Sequence, residues 1–92
     1  MDDIKIKHMT VEEAKELGID NWSIWECEPS VFEWYYDVSE TFYVLEGYVV
    51  VITSTERIHI EKNMLVTFPK DLKCTWEVRK PIKKAYTFNF EI

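Results

Sequence analysis

Long apolar runs are absent from this sequence. A membrane-spanning helix needs about 20 consecutive, mostly apolar residues, and charged residues interrupt every apolar stretch well before that length. The chain also opens on Met1, Asp2 and Asp3, whereas a secretory leader begins with basic and then apolar residues. We therefore expect a cytoplasmic protein with no membrane partner.

Histidine and cysteine are scarce. The two histidines, His8 and His59, lie far apart, and the two cysteines, Cys27 and Cys74, form no CxxC pair. Structural zinc sites use closely spaced pairs of these residues, so the sequence indicates no zinc site. Because disulfides are rare in the cytosol, we expect both cysteines to be free thiols.

Positive charge is in deficit. The chain has 11 Lys and Arg residues against 17 Asp and Glu residues, which gives a net charge of −6. Nucleic-acid surfaces need a clustered excess of Lys and Arg, so we expect no nucleic-acid partner. The basic residues late in the chain have acids between and before them and are expected to form a solvated face: Lys70, Lys73, Arg79, Lys80, Lys83 and Lys84.

The composition is that of a small folded domain, with 47% hydrophobic and 30% charged residues. A chain of this length can bury roughly 60 to 65% of the surface that its unfolded form exposes, which is enough for one core. We expect a single domain over residues 1–92, with an N-terminal arm at 1–30 and a barrel at 31–92.

The arm carries the only clear helix signal. Thr10 is followed three residues later by Glu13, which is the spacing of a capping box. Gly18 is typical of the residue just past a helix end. The sequence therefore predicts one short helix over residues 10–17, preceded by a weak edge strand at 4–7.

Two tryptophans, Trp22 and Trp25, follow in a segment at 21–29 that is interpreted as a strand or extended arm. Each indole ring buries a large area on packing. The pair either packs against a neighbouring sheet or subunit, or stacks on a ligand.

Strand signals dominate from residue 31 onward. Each segment is rich in β-branched or aromatic residues and is bounded by turn residues. The predicted strands are 31–36, 41–46, 48–53, 57–60, 64–68, 74–78 and 85–92. Short antiparallel strands at this spacing indicate an all-β protein, as a sandwich, jelly roll or small barrel.

The segment from Trp34 to Gly47 is the centre of this pattern. Trp34 and Tyr36 alternate along a strand and so share one face, and Glu40 follows in an acidic turn. Gly47 is one of only two glycines. It marks a turn or bulge between the strands predicted on either side of it.

Two local patterns resemble the cupin superfamily of small β-barrels. The first cupin motif has a glycine seven residues after a glutamate, as Gly47 follows Glu40 here, with a typical TFYVLE segment between them. Residues 63–74 resemble the second cupin motif. Pro69 matches the proline of that motif, and Cys74 stands where the motif has a histidine. The chain is most similar to minimal single-domain cupins of the ureidoglycine aminohydrolase type. The resemblance implies a cupin jelly roll.

The resemblance also implies where a metal would bind. The ligand positions of metal-binding cupins correspond here to Trp34, Tyr36, Glu40 and Cys74, of which only Glu40 keeps the family's residue. Tryptophan cannot ligate a metal, and one carboxylate with one thiol is a poor ligand set for a divalent ion. We expect no cofactor, with a divalent metal at Tyr36, Glu40 and Cys74 as the alternative.

Glu40 and Cys74 are the two candidate catalytic residues. Glu40, if it points into the barrel, is available as a general acid or base; otherwise it accepts hydrogen bonds and fixes the strand connection. Cys74 is either a small core residue, as buried cysteines commonly are, or a nucleophile. As a nucleophile it would need a base or a positive neighbour to form the thiolate.

Four aromatic residues are predicted to line a cavity above Glu40: Trp34, Tyr36, Phe68 and Trp76. Such a cavity suits a small cationic or amine ligand, through cation–π contact and charge. The alternative is a barrel that these rings fill completely.

The other large aromatic residues are expected in outer packing or a subunit interface: Trp22, Tyr35, Phe42 and Tyr43. A short chain leaves sheet edges bare, and bare edges favour pairing. We therefore predict a homodimer.

Three functions remain open from the sequence. The first is a cupin that binds a small molecule in an aromatic and acidic pocket. The second, implied only by the resemblance, is an enzyme acting on a small nitrogen-containing or ureido-type substrate. The third is a structural or interaction domain with a filled barrel.

Overall fold

A computed structural model describes residues 4–90. The elements in chain order are strand β1 (Lys5–His8), helix α1 (Val11–Lys15), a 3₁₀ turn (Ile19–Asn21), and strands β2 (Ser23–Cys27), β3 (Ser30–Tyr35), β4 (Glu40–Ile52), β5 (Arg57–Glu61), β6 (Met64–Phe68) and β7 (Lys73–Phe88). Within residues 4–90, no helix is long and apolar enough to cross a membrane.

All strand pairs are antiparallel. The order is β1-β6-β4-β7-β2, with β3 also paired to β7 and β5 also paired to β4. The two long strands, β4 and β7, pair along nearly their whole length. Strands β5 and β6 pair with β4, strands β2 and β3 pair with β7, and β1 lies beyond β6. The predicted all-β class with one short helix is confirmed.

The helix begins as predicted and ends early. The Thr10 side chain accepts from the Glu13 N–H (3.2 Å), and the Glu13 carboxylate accepts from the Thr10 N–H (3.0 Å), which completes the capping box. Helix α1 ends at Lys15 rather than at residue 17. The last turn tightens because the N–H groups of Leu17 and Gly18 donate to carbonyls three residues back.

Gly47 forms a bulge inside one strand instead of a connection between two. The sequence predicts separate strands on either side of it, whereas β4 continues through Gly47 with register shifts against β7. Gly47 has a φ of 105°, and a Cβ atom there would lie 2.3 Å from the Pro81 carbonyl oxygen and 2.6 Å from the Ile82 Cα. Glycine is therefore required at this crossing, both for the backbone conformation and for the close approach of β7.

Strand β7 also joins two predicted strands, 74–78 and 85–92, because β4 pairs with it on both sides of the bulge. The strand ends at Phe88, since Asn89 adopts a left-handed φ of 55°. The predicted alternation past this point stops with it, and residues 91–92 lie outside the described part of the chain.

The core has two parts on opposite faces of β4. Phe42 and Tyr43 are consecutive and therefore point to opposite sides of the strand. Phe42 packs in the larger cluster with Phe68 and Trp76, while Tyr43 packs under helix α1. The expectation that Phe42 lies in outer packing or an interface is thus wrong, because Phe42 is fully buried in the larger cluster, whereas Tyr43 packs outside that cluster beneath the helix.

Candidate functional site

A pocket of about 220 Å³ opens above the larger core cluster. Its walls are mostly aromatic, and two charged side chains lie among them. The lining residues are Trp25, Phe32, Trp34, Tyr36, Glu40, Trp76, Lys84, Tyr86 and Phe88.

The charged residues of the pocket form a buried ion pair. Lys84 Nζ donates a hydrogen bond to Glu40 Oε2 across 2.6 Å, and the two side chains are only 7% and 9% exposed. Lys84 was expected on a solvated face, which is wrong. It lies opposite Trp25 of β2 and Val44 of β4 in the ladders of β7, so strands flank it on both sides.

Aromatic rings surround the ammonium group of Lys84. Its Nζ atom lies 4.2 Å from the ring centre of Phe42, 4.6 Å from that of Trp76 and 5.1 Å from that of Trp25. The negative faces of aromatic rings attract a cation, more strongly when both are removed from water. The rings and Glu40 together offset the lost hydration of the buried charge.

The buried groups of the site have shifted pKa values. Burial lowers the pKa of Lys84, because an ammonium loses hydration in an apolar pocket, while the charge and hydrogen bond of Glu40 act in the opposite direction. Burial and the nearby Glu40 charge raise the pKa of Tyr36. The Tyr36 hydroxyl accepts from Trp76 Nε1 (3.2 Å) and keeps its own proton at neutral pH.

Three of the four predicted aromatic residues line the pocket. Tyr36 and Trp76 form its buried part. Trp34 stands at the rim and is 54% exposed. Phe68 does not line the pocket: it is fully buried beneath it and contacts the Tyr36 ring edge to face at a centroid distance of 5.2 Å. It lies opposite Glu40 in the β4–β6 ladder and packs in the larger core cluster.

Cys74 is buried but does not line the pocket. It lies opposite Trp34 in the β3–β7 ladder. Burial raises the pKa of its thiol to about 11, although the Trp76 hydrogen bond and the Lys84 charge act in the opposite direction. The group is therefore a thiol at neutral pH, which favours the core-residue interpretation over the nucleophile.

Sequence reasoning missed Lys84, Phe32, Tyr86 and Phe88 as pocket residues. The signal for Lys84 was its alternation with Ile82 and Tyr86, which share its side of β7. The neighbouring Lys83 points the other way and lines a different depression with Glu46. The run of basic residues obscured this alternation.

The family comparison agrees with the fold. The model of the EutQ-like cupin domain matches residues 14–86. The chain belongs to the EutQ-like cupin family. The antiparallel sheet is accordingly a cupin jelly roll, as the resemblance implied.

Solved structures of other cupins are similar to this chain. A DUF861 family protein from Thermotoga maritima is 49% identical, with a TM-score of 0.87, and the match covers 94% of this chain and 99% of that one. The EutQ protein of Clostridium difficile is 20% identical, with a TM-score of 0.67, over 92% of this chain and 66% of that one. No curated protein matches the sequence. The ureidoglycine aminohydrolase subgroup stays a prediction.

The residues at the cupin metal positions do not fit a divalent ion. Trp34 cannot ligate a metal, and Glu40 is already bound to the Lys84 ammonium. Burial raises the pKa of Tyr36 and of the Cys74 thiol, so an ion would have to displace a firmly held proton from each of them. Within residues 4–90, no group of three or more His, Cys, Asp and Glu residues could hold a metal. The positive charge beside Glu40 in this structure is the ammonium of Lys84.

Proposed function

We propose that this cupin binds a small neutral molecule with a flat apolar body and a hydrogen-bond acceptor, in a pocket that needs no metal. The observation that carries the proposal is the Lys84–Glu40 ion pair at the base of an aromatic pocket of about 220 Å³. Pockets that combine apolar walls with a few polar groups are typical ligand sites.

The charge of the pocket favours a neutral ligand. The sequence suggested a cationic or amine ligand for Glu40, but the Lys84 ammonium already neutralises that carboxylate at 2.6 Å. A second cation would be repelled by Lys84, and an anion would be repelled by Glu40. Because the ion pair is buried, such like-charge contacts are more unfavourable beside it than in bulk water.

Lys84 has hydrogen-bonding capacity left for a ligand. An ammonium group carries three donors, and Glu40 is the one side-chain acceptor of Lys84 among the described residues. A carbonyl oxygen could accept a second bond, and a hydrogen bond to a charged group contributes roughly 1.5 to 3 kcal/mol. Trp25, Phe32 and Trp34 would contact the apolar body of the ligand.

Fluorescence titration with three matched probes tests this proposal. Benzamide is neutral and carries a carbonyl acceptor, while benzylamine and benzoate have the same ring with a positive or negative charge. We expect benzamide to quench the pocket tryptophans with saturation and to bind at least about tenfold more tightly than either charged probe, a difference of about 1.4 kcal/mol. Tighter binding of benzylamine, or no saturable binding, would contradict the proposal.

Two variants locate the binding. The double variant Glu40→Gln, Lys84→Met replaces the ion pair by neutral side chains and should weaken benzamide binding about tenfold through loss of the charged donor. Trp34→Ala removes a rim wall and should weaken binding through lost apolar contact. Val31→Ala is the matched control, because Val31 lies on the same strand, is 70% exposed and does not line the pocket.

The enzymatic alternative has less support. A ureido-type activity, whether metal-assisted or through Glu40 alone, rests on the resemblance only, and the ion pair occupies the carboxylate that it would use. The filled-barrel alternative has less support as well, because the aromatic residues leave an open volume. A cytoplasmic location stays a prediction.

We also propose that two copies of the chain pair through the edge formed by β2 and β3. Within residues 4–90, these strands pair only with β7, which leaves the backbone groups of their other edge available. The same edge exposes apolar side chains, with Ile24 50%, Val31 70% and Tyr35 47% exposed. A second copy offers the same unpaired strands and the same apolar residues, as a symmetric dimer requires.

A further inference from the structure

We propose that Lys84 is a nucleophile that forms a Schiff base with small aldehydes or ketones in the aromatic pocket. The inference rests on the proposed function, because the carbonyl compound must first bind there. It adds covalent chemistry and a substrate class to that site.

The position of Lys84 separates it from the other lysines. Among the described residues, it is the one lysine that lines this pocket, and its side chain is 7% exposed. Its neighbour Lys83 lies on the opposite side of β7. Desolvated lysines in hydrophobic pockets are the usual amine nucleophiles of carbonyl chemistry, and burial lowers the pKa of Lys84, which increases the share of reactive amine.

Glu40 is placed to transfer the protons that the reaction needs, since its Oε2 atom lies 2.6 Å from Lys84 Nζ. Lys84 first gives one proton to Glu40. The neutral amine then attacks the carbonyl carbon, the C=O π bond opens, and Glu40 returns the proton to the oxygen. The nitrogen gives its next proton to Glu40, which passes it to the hydroxyl group.

Loss of water then completes the Schiff base. The C–O bond breaks as the nitrogen lone pair forms the C=N bond, which leaves a protonated imine and the Glu40 carboxylate. In sum, a lysine ammonium and a carbonyl compound give an iminium ion and one water molecule, with no oxidant or reductant. Transfer of protons by a positioned carboxyl group typically contributes a factor of 10² to 10⁴ to a rate.

The pocket is as well matched to the product as to the free lysine. The iminium keeps one positive charge beside Glu40 and over the rings of Phe42 and Trp76, which lie 4.2 and 4.6 Å from Nζ. A neutral adduct would lose these interactions. The surroundings therefore stabilise the iminium about as well as the ammonium from which it forms.

Reductive trapping tests the inference. The protein is incubated with benzaldehyde and cyanoborohydride, and the benzylated lysine is located by peptide mass spectrometry. We expect one benzyl group per chain at Lys84, formed at least about tenfold faster than at Lys83 and slowed by benzamide, which binds but does not react with amines.

Two lysine-to-arginine variants are the controls. Lys84→Arg keeps a positive charge and donors beside Glu40 but removes the nucleophile, so it should lose the rapid labelling. Lys83→Arg should keep it. Saturable benzamide binding together with labelling spread evenly over exposed lysines would overturn the Schiff-base inference and leave the proposed function intact. Absence of benzamide binding would overturn both.

Discussion

At the scale of single residues, the main feature is a lysine that the pattern of charges assigned to the surface. Lys84 follows Lys80 and Lys83 in a basic stretch, and such a stretch is usually solvated. The side of β7 that each lysine faces depends on the bulge opposite Gly47, which shifts the register of β4 against β7. Glu40, by contrast, was identified from the sequence because its separation from Gly47 matches the cupin motif.

Removal of one partner of the ion pair should destabilise the fold. Glu40→Ala leaves the Lys84 ammonium buried without its carboxylate, and loss of one partner of a buried pair costs about 3 to 5 kcal/mol. The double variant Glu40→Gln, Lys84→Met should recover most of this loss, because no charge then remains buried. Urea unfolding measures both, and a Glu40→Ala variant as stable as the native chain would show that the pair is dispensable.

The two cysteines should differ in reactivity with pH. Cys74 is buried with a pKa raised to about 11, whereas Cys27 is partly exposed. Iodoacetamide reacts with the thiolate, so Cys27 should be alkylated first at pH 8. Mass spectrometry of the alkylated peptides measures the order, and faster labelling of Cys74 would contradict its burial as a thiol.

The raised pKa of Cys74 also determines how its contribution to the free energy of unfolding changes with pH. Between pH 9.0, the ordinary pKa of a cysteine thiol, and about pH 11, the unfolded chain releases the thiol proton while the folded chain retains it. The contribution of Cys74 to stability is therefore complete below pH 9 and is lost as the pH rises toward 11. The difference in unfolding free energy between the native chain and Cys74→Ala should shrink over this range.

At the scale of elements, the crossing of β4 and β7 determines the shape of the sheet. Local patterns predicted the strand segments well, because β-branched and aromatic residues alternate along them. They could not show that segments on either side of Gly47 and Pro81 are continuous, since continuity depends on pairing between strands distant in sequence. Cys74, Trp76 and Val78 share a buried side of β7, as expected. The pocket, however, also needs residues of β2 and β3, which pair with β7 from distant parts of the sequence.

Gly47→Ala should be far more damaging than Gly18→Ala. Both glycines have positive φ values, 105° and 94°, but a Cβ at Gly47 would collide with backbone atoms of Pro81 and Ile82, whereas a Cβ at Gly18 meets nothing within 4 Å. We expect a loss of about 1 kcal/mol at Gly18 from backbone strain and roughly 3 kcal/mol or more at Gly47. Thermal unfolding compares them, and equal losses would contradict the close crossing.

At the scale of the whole molecule, the proposed dimer depends on the edge of β2 and β3. Multi-angle light scattering on a sizing column should give twice the chain mass for the native protein. Val31→Lys adds a positive charge to this edge, close to the same charge on the second copy. The repulsion between the two lysines should shift the mass to that of one chain. Thr55→Lys, in the exposed turn between β4 and β5, is the control that should remain dimeric.

Membership of the cupin superfamily was recognisable from two sequence motifs, while the family within it and the character of the pocket were not. The spacing of Glu40, Gly47 and Pro69 is preserved because it fixes the strands and their connections. Trp34 and Tyr36 stand where metal-binding cupins have histidines, and the cation beside Glu40 is Lys84, 44 residues away in sequence on another strand. Such a long-range pair has no local signature.

Elemental analysis of untagged protein, purified without a chelator, tests most directly whether Lys84 takes the place of a metal. We expect no stoichiometric divalent metal, in the native chain or in Lys84→Arg, because the ammonium or guanidinium neutralises Glu40. One metal ion per chain that is lost in Glu40→Ala would contradict the account, and would make Tyr36, Glu40 and Cys74 the ligands of a metal-dependent cupin.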